Sequence, residues 1–155
     1  MSFSNQRDRP RVIVDANVFV SYLLKPEDEI STVNKVVKQV ISDRFELIVP
    51  DWLVVELRDA PAKPKFAGRV STAAIEVFLG KAMMEAGIHV ATQKSTIPVP
   101  GRDLKDRYLI EAAIYNDVDI LVSGDKDLLV LGELLEQPRI MSPAQFVAEF
   151  GSDSI

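Results

Sequence analysis

Short β-branched runs alternate with segments of helical period along almost the whole 155-residue chain, and this alternation limits the folds open to it more than any other feature. Runs at Arg11–Asp15, Phe45–Val49, Ile88–Ala91, Asp119–Val122 and Arg139–Met141 read as strands. The first intervening helix is Val18–Leu24, with Asn17 as its N-cap and Pro26 beyond its end. A second, about Glu29–Ser42, rests on the stripe Ile30, Val33, Val37, Val40 and Ile41. Asp51 can cap a third through Leu57, and a fourth covers about Ser71–Ala86, with Ile75, Phe78, Leu79 and Ala82 on one face. Gly87 closes it, and a long polar loop after the third strand runs to Gly101. Helices at about Leu104–Asn116, through Leu131 after the Ser123-Gly124 turn, and at Pro143–Phe150 complete the chain. Strands separated by helices pair in parallel through right-handed crossovers. The expected class is therefore α/β, a three-layer α/β/α arrangement around a central parallel sheet of about five strands. Ligands of such sheets gather beyond the carboxyl ends of the strands, where both Asp15 and Asp125 fall.

Length and composition bound the function. A chain of this size suits one domain with a proper core, expected over residues 11–150, with 1–10 a disordered tail and 151–155 a C-terminal one. The first ten residues are polar and hold no apolar signal core, and no stretch of 18 uninterrupted apolar residues indicates a membrane helix. The absence of cysteine suits a reducing cytoplasm. With no Cys and only His89, a Cys/His zinc site cannot be built, so any metal must be held by oxygen ligands. His89 falls in a strand and reads as a packed or exposed residue rather than a general base. The net charge of −5 weighs against non-specific nucleic-acid binding without excluding a local basic patch.

Four acids stand out by placement. Asp15 ends the first strand, and Asp125 follows the fourth after one glycine. Glu56 shares a helical face with Leu53 and Leu57, and Asp106 begins the face continued by Leu109, Ile110 and Ala113. Each has a plainer reading. Asp125 can be an N-cap, Asp15 a strand-end turn residue, Glu56 a rim residue with its head in water, and Asp106 a first-turn acid favoured by the helix dipole. Together the four would meet at one edge of one sheet. Two carboxylates about 5 Å apart repel by roughly 3 kcal/mol at an effective dielectric near 20. Such a cluster persists only if protons or a cation compensate it, and on repulsion alone Asp15→Asn or Asp125→Asn would not destabilise the metal-free protein. An all-oxygen site suits Mg²⁺ or Mn²⁺, which can activate water for phosphodiester hydrolysis.

The segments Val-Asp15-Ala-Asn17-Val-Phe, Leu-Val-Val-Glu56-Leu-Arg, Asp103-Leu-Lys-Asp106-Arg-Tyr-Leu-Ile and Ile-Leu-Val-Ser123-Gly124-Asp125-Lys-Asp127-Leu-Leu follow one another in order, with Ile-Met-Ser142-Pro143-Ala-Gln-Phe after them. In this ordered set the chain resembles the PIN-domain family (PilT N-terminus), small metal-dependent nucleases related to the toxins of Vap-type toxin–antitoxin pairs. It looks most like the subfamily described as toxin components. The resemblance spans nearly all of Arg11 to Phe150. It implies a PIN-like fold and a ribonuclease using Mg²⁺ or Mn²⁺. Asp15, Glu56, Asp106 and Asp125 would be the catalytic acids, with Asp15, Asp106 and Asp125 on the metal. Asn17 and Ser123 would be polar support, Asp127 a further acid near the metal, and Asp103 a competitor of Asp106 for third place. It also implies an RNA substrate, a protein antitoxin and a homodimer.

The basic residues Lys63, Lys65 and Arg69, after the Glu56 helix, and Arg102, Lys105 and Arg107, around Asp106, are expected to line the RNA groove. A haloacid-dehalogenase-like phosphatase would need a second Asp where Asn17 stands, and a response-regulator receiver would need one after the third strand. The rival from another class is a PIN fold kept as a non-catalytic binding module.

Overall fold

A computed structural model of the chain describes residues 9–91, 99, 101 and 103–151. The tail residues 1–8 and 152–155, most of the loop before Gly101, and Arg102 lie outside the described residues. The strands are β1 (Arg11–Val14), β2 (Glu46–Pro50), β3 (Gly87–Val90), β4 (Ile120–Val122) and β5 (Arg139–Met141). All pair in parallel, in the order β3-β2-β1-β4-β5. The register Val12↔Ile120, Ile13↔Leu121, Val14↔Val122 sets the ends of β1 and β4 level. The expected three-layer α/β fold with a parallel sheet of five strands is what forms.

Alternation along the strands divides the core in two. Val12, Val14, Leu47, Val49, Ile120 and Val122 face one apolar cluster, and Ile13, Ile48 and Leu121 the other. Helices α1 (Ala16–Leu24), α2 (Thr32–Val40), α3 (Asp51–Asp59), α4 (Thr72–Phe78) and the later α8 (Pro143–Phe150) bury side chains in the first cluster. The second is covered by α6 (Leu104–Tyr115) and α7 (Lys126–Leu131). Between α4 and β3, a π-helical turn at Leu79–Met83 leads into α5, Met84–Ala86. Among the described residues no helix is long and apolar enough to cross a membrane.

Three helix starts differ from the sequence expectation. The helix expected from Glu29 starts at Thr32, because Ser31 accepts the Asn34 backbone N–H and caps it there. The Asn34 amide donates to the Lys25 and Asp28 carbonyls and holds the preceding residues in a turn, so Ile30 is left 84% exposed. Asp51 is the first residue of α3 rather than its cap, a position held by Pro50. Asn17 is not the cap of α1, which begins at Ala16 directly after Asp15.

Candidate functional site

The strand order reverses between β1 and β4, and a doubly wound sheet opens a crevice at that point beyond its carboxyl edge. Asp15 leaves β1 there and stands at the N-cap position of α1, yet its side chain makes no capping bond. Instead Oδ2 accepts the Ser123 hydroxyl at 2.8 Å, across the gap from the end of β4. The Ser123 Oγ in turn accepts the backbone N–H of Asp125 at 3.0 Å. One serine thus ties the two strand ends together and aims the Asp15 carboxylate.

Asp125 does serve as the N-cap of α7, its Oδ1 accepting the Asp127 N–H at 2.9 Å. Capping uses one of its oxygens. On α6, Asp103 is the exposed cap, with Oδ1 on the Lys105 N–H at 2.9 Å. Asp106, one turn in, is 4% exposed, and its Oδ1 is buried without a hydrogen-bond partner among the described residues.

A cleft of about 530 Å³ is lined by Asp103, Asp106 and Asp127 together with Val130, Leu131 and Leu134. Glu56, half-buried on α3, completes the acids, and its Oε2 also lacks a hydrogen-bond partner among the described residues.

The charge balance is resolved inside the cluster. The Lys105 ammonium lies 3.2 Å from Asp15 Oδ1 and 3.9 Å from Glu56 Oε2. Burial pulls the Lys105 pKa down, but Asp15 and Glu56 outweigh it and hold the ammonium charged beyond its usual range. Burial pushes Glu56 up, and the nearby Asp15 charge adds to that against the opposing pull of Lys105. Asp106 is pushed up to about 6, first by burial and then by repulsion from Asp125 and Asp103. The cluster is therefore offset by one ammonium and by carboxylates that hold protons more tightly than usual.

Asp119 makes the contrast. It is also a buried acid, but it lies at the opposite edge of the sheet, with Oδ2 on the Arg11 N–H and Oδ1 on the Gln137 amide. Its hydrogen bonds complete the structure there. Those of Asp15, Glu56 and Asp106 leave oxygens over. Asp15 Oδ1 faces the Lys105 ammonium as an ion pair. Among the described residues no three carboxylates converge tightly enough to form a ready-made metal cage.

The remaining expected site residues divide. Asn17 is half-buried in α1, and no hydrogen bond joins it to the acids among the described residues. Asp127 is exposed at the cleft. Lys63 is close enough to draw the Glu56 pKa down. Lys65 instead lies over the Phe66 ring, 4.9 Å from its centroid, and Arg69 is exposed and donates to the Lys65 carbonyl. Arg107 is half-buried, its Nε without a hydrogen-bond partner among the described residues. Arg102 lies outside the described residues. His89 is exposed on the edge strand, its Nε2 3.2 Å from the Met83 carbonyl oxygen.

Sequence reasoning placed Lys105 in the groove but missed it as an internal counter-charge. Its neighbours in the chain gave no signal, because the pairing needs α3, α6 and β1 brought together. The tilted ring pair Trp52 and Tyr108, centroids 6.1 Å apart, was missed for the same reason.

Residues 11–127 match the PIN domain family. PIN domains are a family of nucleases, and those nucleases use divalent metal ions. No curated protein matches the chain.

Proposed function

Since the chain belongs to the PIN domain family, we propose that it is a divalent-metal-dependent endoribonuclease, with Asp15, Asp106 and Asp125 holding Mg²⁺ or Mn²⁺ and Glu56 beside them. The observation that carries this reading is the set of buried carboxylate oxygens that have no hydrogen-bond partner among the described residues, Asp15 Oδ1, Glu56 Oε2 and Asp106 Oδ1, at one edge of the sheet. Hard oxygen donors on partly buried acids fit either ion. When bound, such an ion supplies a water nucleophile at neutral pH and neutralises charge gathering at phosphorus. The chain's own residues prepare the site. Ser123 fixes the Asp15 carboxylate, the start of α7 fixes Asp125, and Lys63 adds positive charge beside Glu56, where an RNA phosphate would approach.

Cleavage of single-stranded RNA by the purified protein tests the reading. Asp15→Asn, Asp106→Asn and Asp125→Asn should each lower the rate by orders of magnitude with the fold intact, because charge changes and shape hardly does. Full activity in EDTA, or normal cleavage by Asp15→Asn, would show that the assignment is wrong.

The finer role follows the sequence resemblance. We infer a toxin component of a toxin–antitoxin pair, acting in the cytoplasm as a homodimer over residues 11–150 and restrained by a protein antitoxin. The neighbouring reading frame and the mass of the protein in solution test those points. The non-catalytic alternative has one observation in its favour, since Lys105 already neutralises part of the acid cluster. The same cleavage assay decides between them.

A further inference from the structure

We propose that Lys105 is the resident counter-cation of the site, a positioning residue that a divalent ion must displace from Asp15 and Glu56 in order to bind. The inference rests on the metal-dependent reading above and adds to it a competitor built into the chain. The Ser123 hydroxyl occupies Asp15 Oδ2, so a cation approaching this carboxylate meets Oδ1. That is the oxygen Lys105 faces at 3.2 Å, and Glu56 Oε2 stands 3.9 Å from the same ammonium.

Among the described residues Lys105 is the cation that both of these buried oxygens face, at hydrogen-bonding distance for Asp15 and at a longer one for Glu56. The hold is therefore chiefly one of charge on charge. A lysine suits it, being a compact point charge on a flexible four-carbon stem. The backbone beneath is fixed independently, since the Asp103 side chain caps α6 through the Lys105 N–H whatever side chain residue 105 carries. The ammonium can leave without unravelling the helix.

Two consequences follow from charge alone. Without metal, the ammonium relieves repulsion between Asp15 and Glu56 and so stabilises the fold. With metal, the same charge opposes the ion and weakens its binding. A lysine serving only to pack or brace α6 would have the first effect and not the second.

The experiment uses the full chain. Mn²⁺ is titrated calorimetrically into wild type, Lys105→Met and Lys105→Arg, and each is melted in EDTA and in Mn²⁺. Lys105→Met should bind Mn²⁺ at least tenfold more tightly than wild type. It should melt lower than wild type in EDTA, and that deficit should close in Mn²⁺. Lys105→Arg keeps the charge and should stay near wild type in metal affinity. Unchanged or weaker Mn²⁺ binding by Lys105→Met overturns the inference, as does the same melting deficit in both buffers. If wild type binds Mn²⁺ and Lys105→Met gains nothing, the counter-cation fails alone. If neither protein binds Mn²⁺, the metal-dependent reading fails with it.

Discussion

Asp15 and Asp106 are both buried acids of one cluster, but their partners give them opposite effects on stability. Asp106 holds its proton up to about 6 against an ordinary value of 3.8, because burial and the neighbouring acids disfavour its charge. A carboxyl whose folded pKa is raised costs nothing while both states are protonated. The penalty begins as pH passes 3.8 and is complete above about 6, where it reaches at most ~3 kcal/mol. Asp106→Asn should therefore match wild type near pH 3.5 and become more stable than it between pH 4 and 7, when both are melted in EDTA. A constant difference across that range would show that Asp106 ionises without cost. Asp15 carries a hydroxyl bond from Ser123 and the Lys105 pair. Repulsion alone makes Asp15→Asn harmless, but these partners reverse that expectation. In EDTA at pH 7 it should lose about 1–3 kcal/mol, the range for a charged hydrogen-bonding group, and denaturant melts will read it. The identities of these acids were legible in the sequence, because a carboxylate after a β-run or on an apolar helical face is conspicuous. Ser123 came into view only through the family resemblance, because it lies 108 positions from Asp15 and no local pattern links the two.

At the scale of elements, the sequence signals were strongest where periodicity and caps agree. Helix α8 is the clear case, with Ser142 and Gln145 forming a reciprocal capping box and Pro143 in the first turn. They were weakest where the backbone leaves its regular period. The stripe Ile75, Phe78, Leu79 and Ala82 is helical as expected, but the π turn at Leu79–Met83 adds a residue to the winding. Met83 is fully buried and Met84 exposed, so the buried face runs on through the π turn one residue beyond the stripe read from the sequence. The turn also brings the chain tightly against β2. A Cβ on Gly87 would lie 2.6 Å from Val49 Cγ2 and 2.7 Å from the Met83 carbonyl oxygen. Glycine at this position is required by space, since a backbone oxygen cannot yield as a side chain can. Gly87→Ala should cost about 1–3 kcal/mol in urea unfolding, and a neutral result would mean the β3 edge shifts freely. Helix α7 offers a separable test of Asp125. Asparagine can keep the bond to the Asp127 N–H and alanine cannot, so Asp125→Ala should be about 1 kcal/mol less stable than Asp125→Asn.

Across the whole molecule, the sequence implied parallel strands but not their order. Alternation of strand and helix is common to many doubly wound sheets; only the pairing of β1 with both β2 and β4 puts the reversal beside Asp15 and Ser123. That placement also sorts the basic residues, which the sequence alone treated as one groove. Lys63 reaches the acid cluster electrostatically, whereas Lys65 rests on Phe66 and Arg69 turns to the carbonyl of Lys65. On the proposed function, a chain with a net charge of −5 would attract RNA through local charge, so the few cations beside the acids should dominate its salt dependence. Each single-strand phosphate neutralised contributes about −0.7 to the slope of log affinity against log salt. Lys63→Ala should flatten the slope by about that amount and leave Mn²⁺ binding intact. Lys65→Ala and Arg69→Ala should each change it by much less, since their side chains are engaged within their own loop. Binding is best followed with a cleavage-inactive background such as Asp125→Asn, so that RNA is not consumed during titration. Equal loss of slope in all three variants would make the loop as a whole the substrate path, and no loss in Lys63→Ala would place the RNA on another side of the acids.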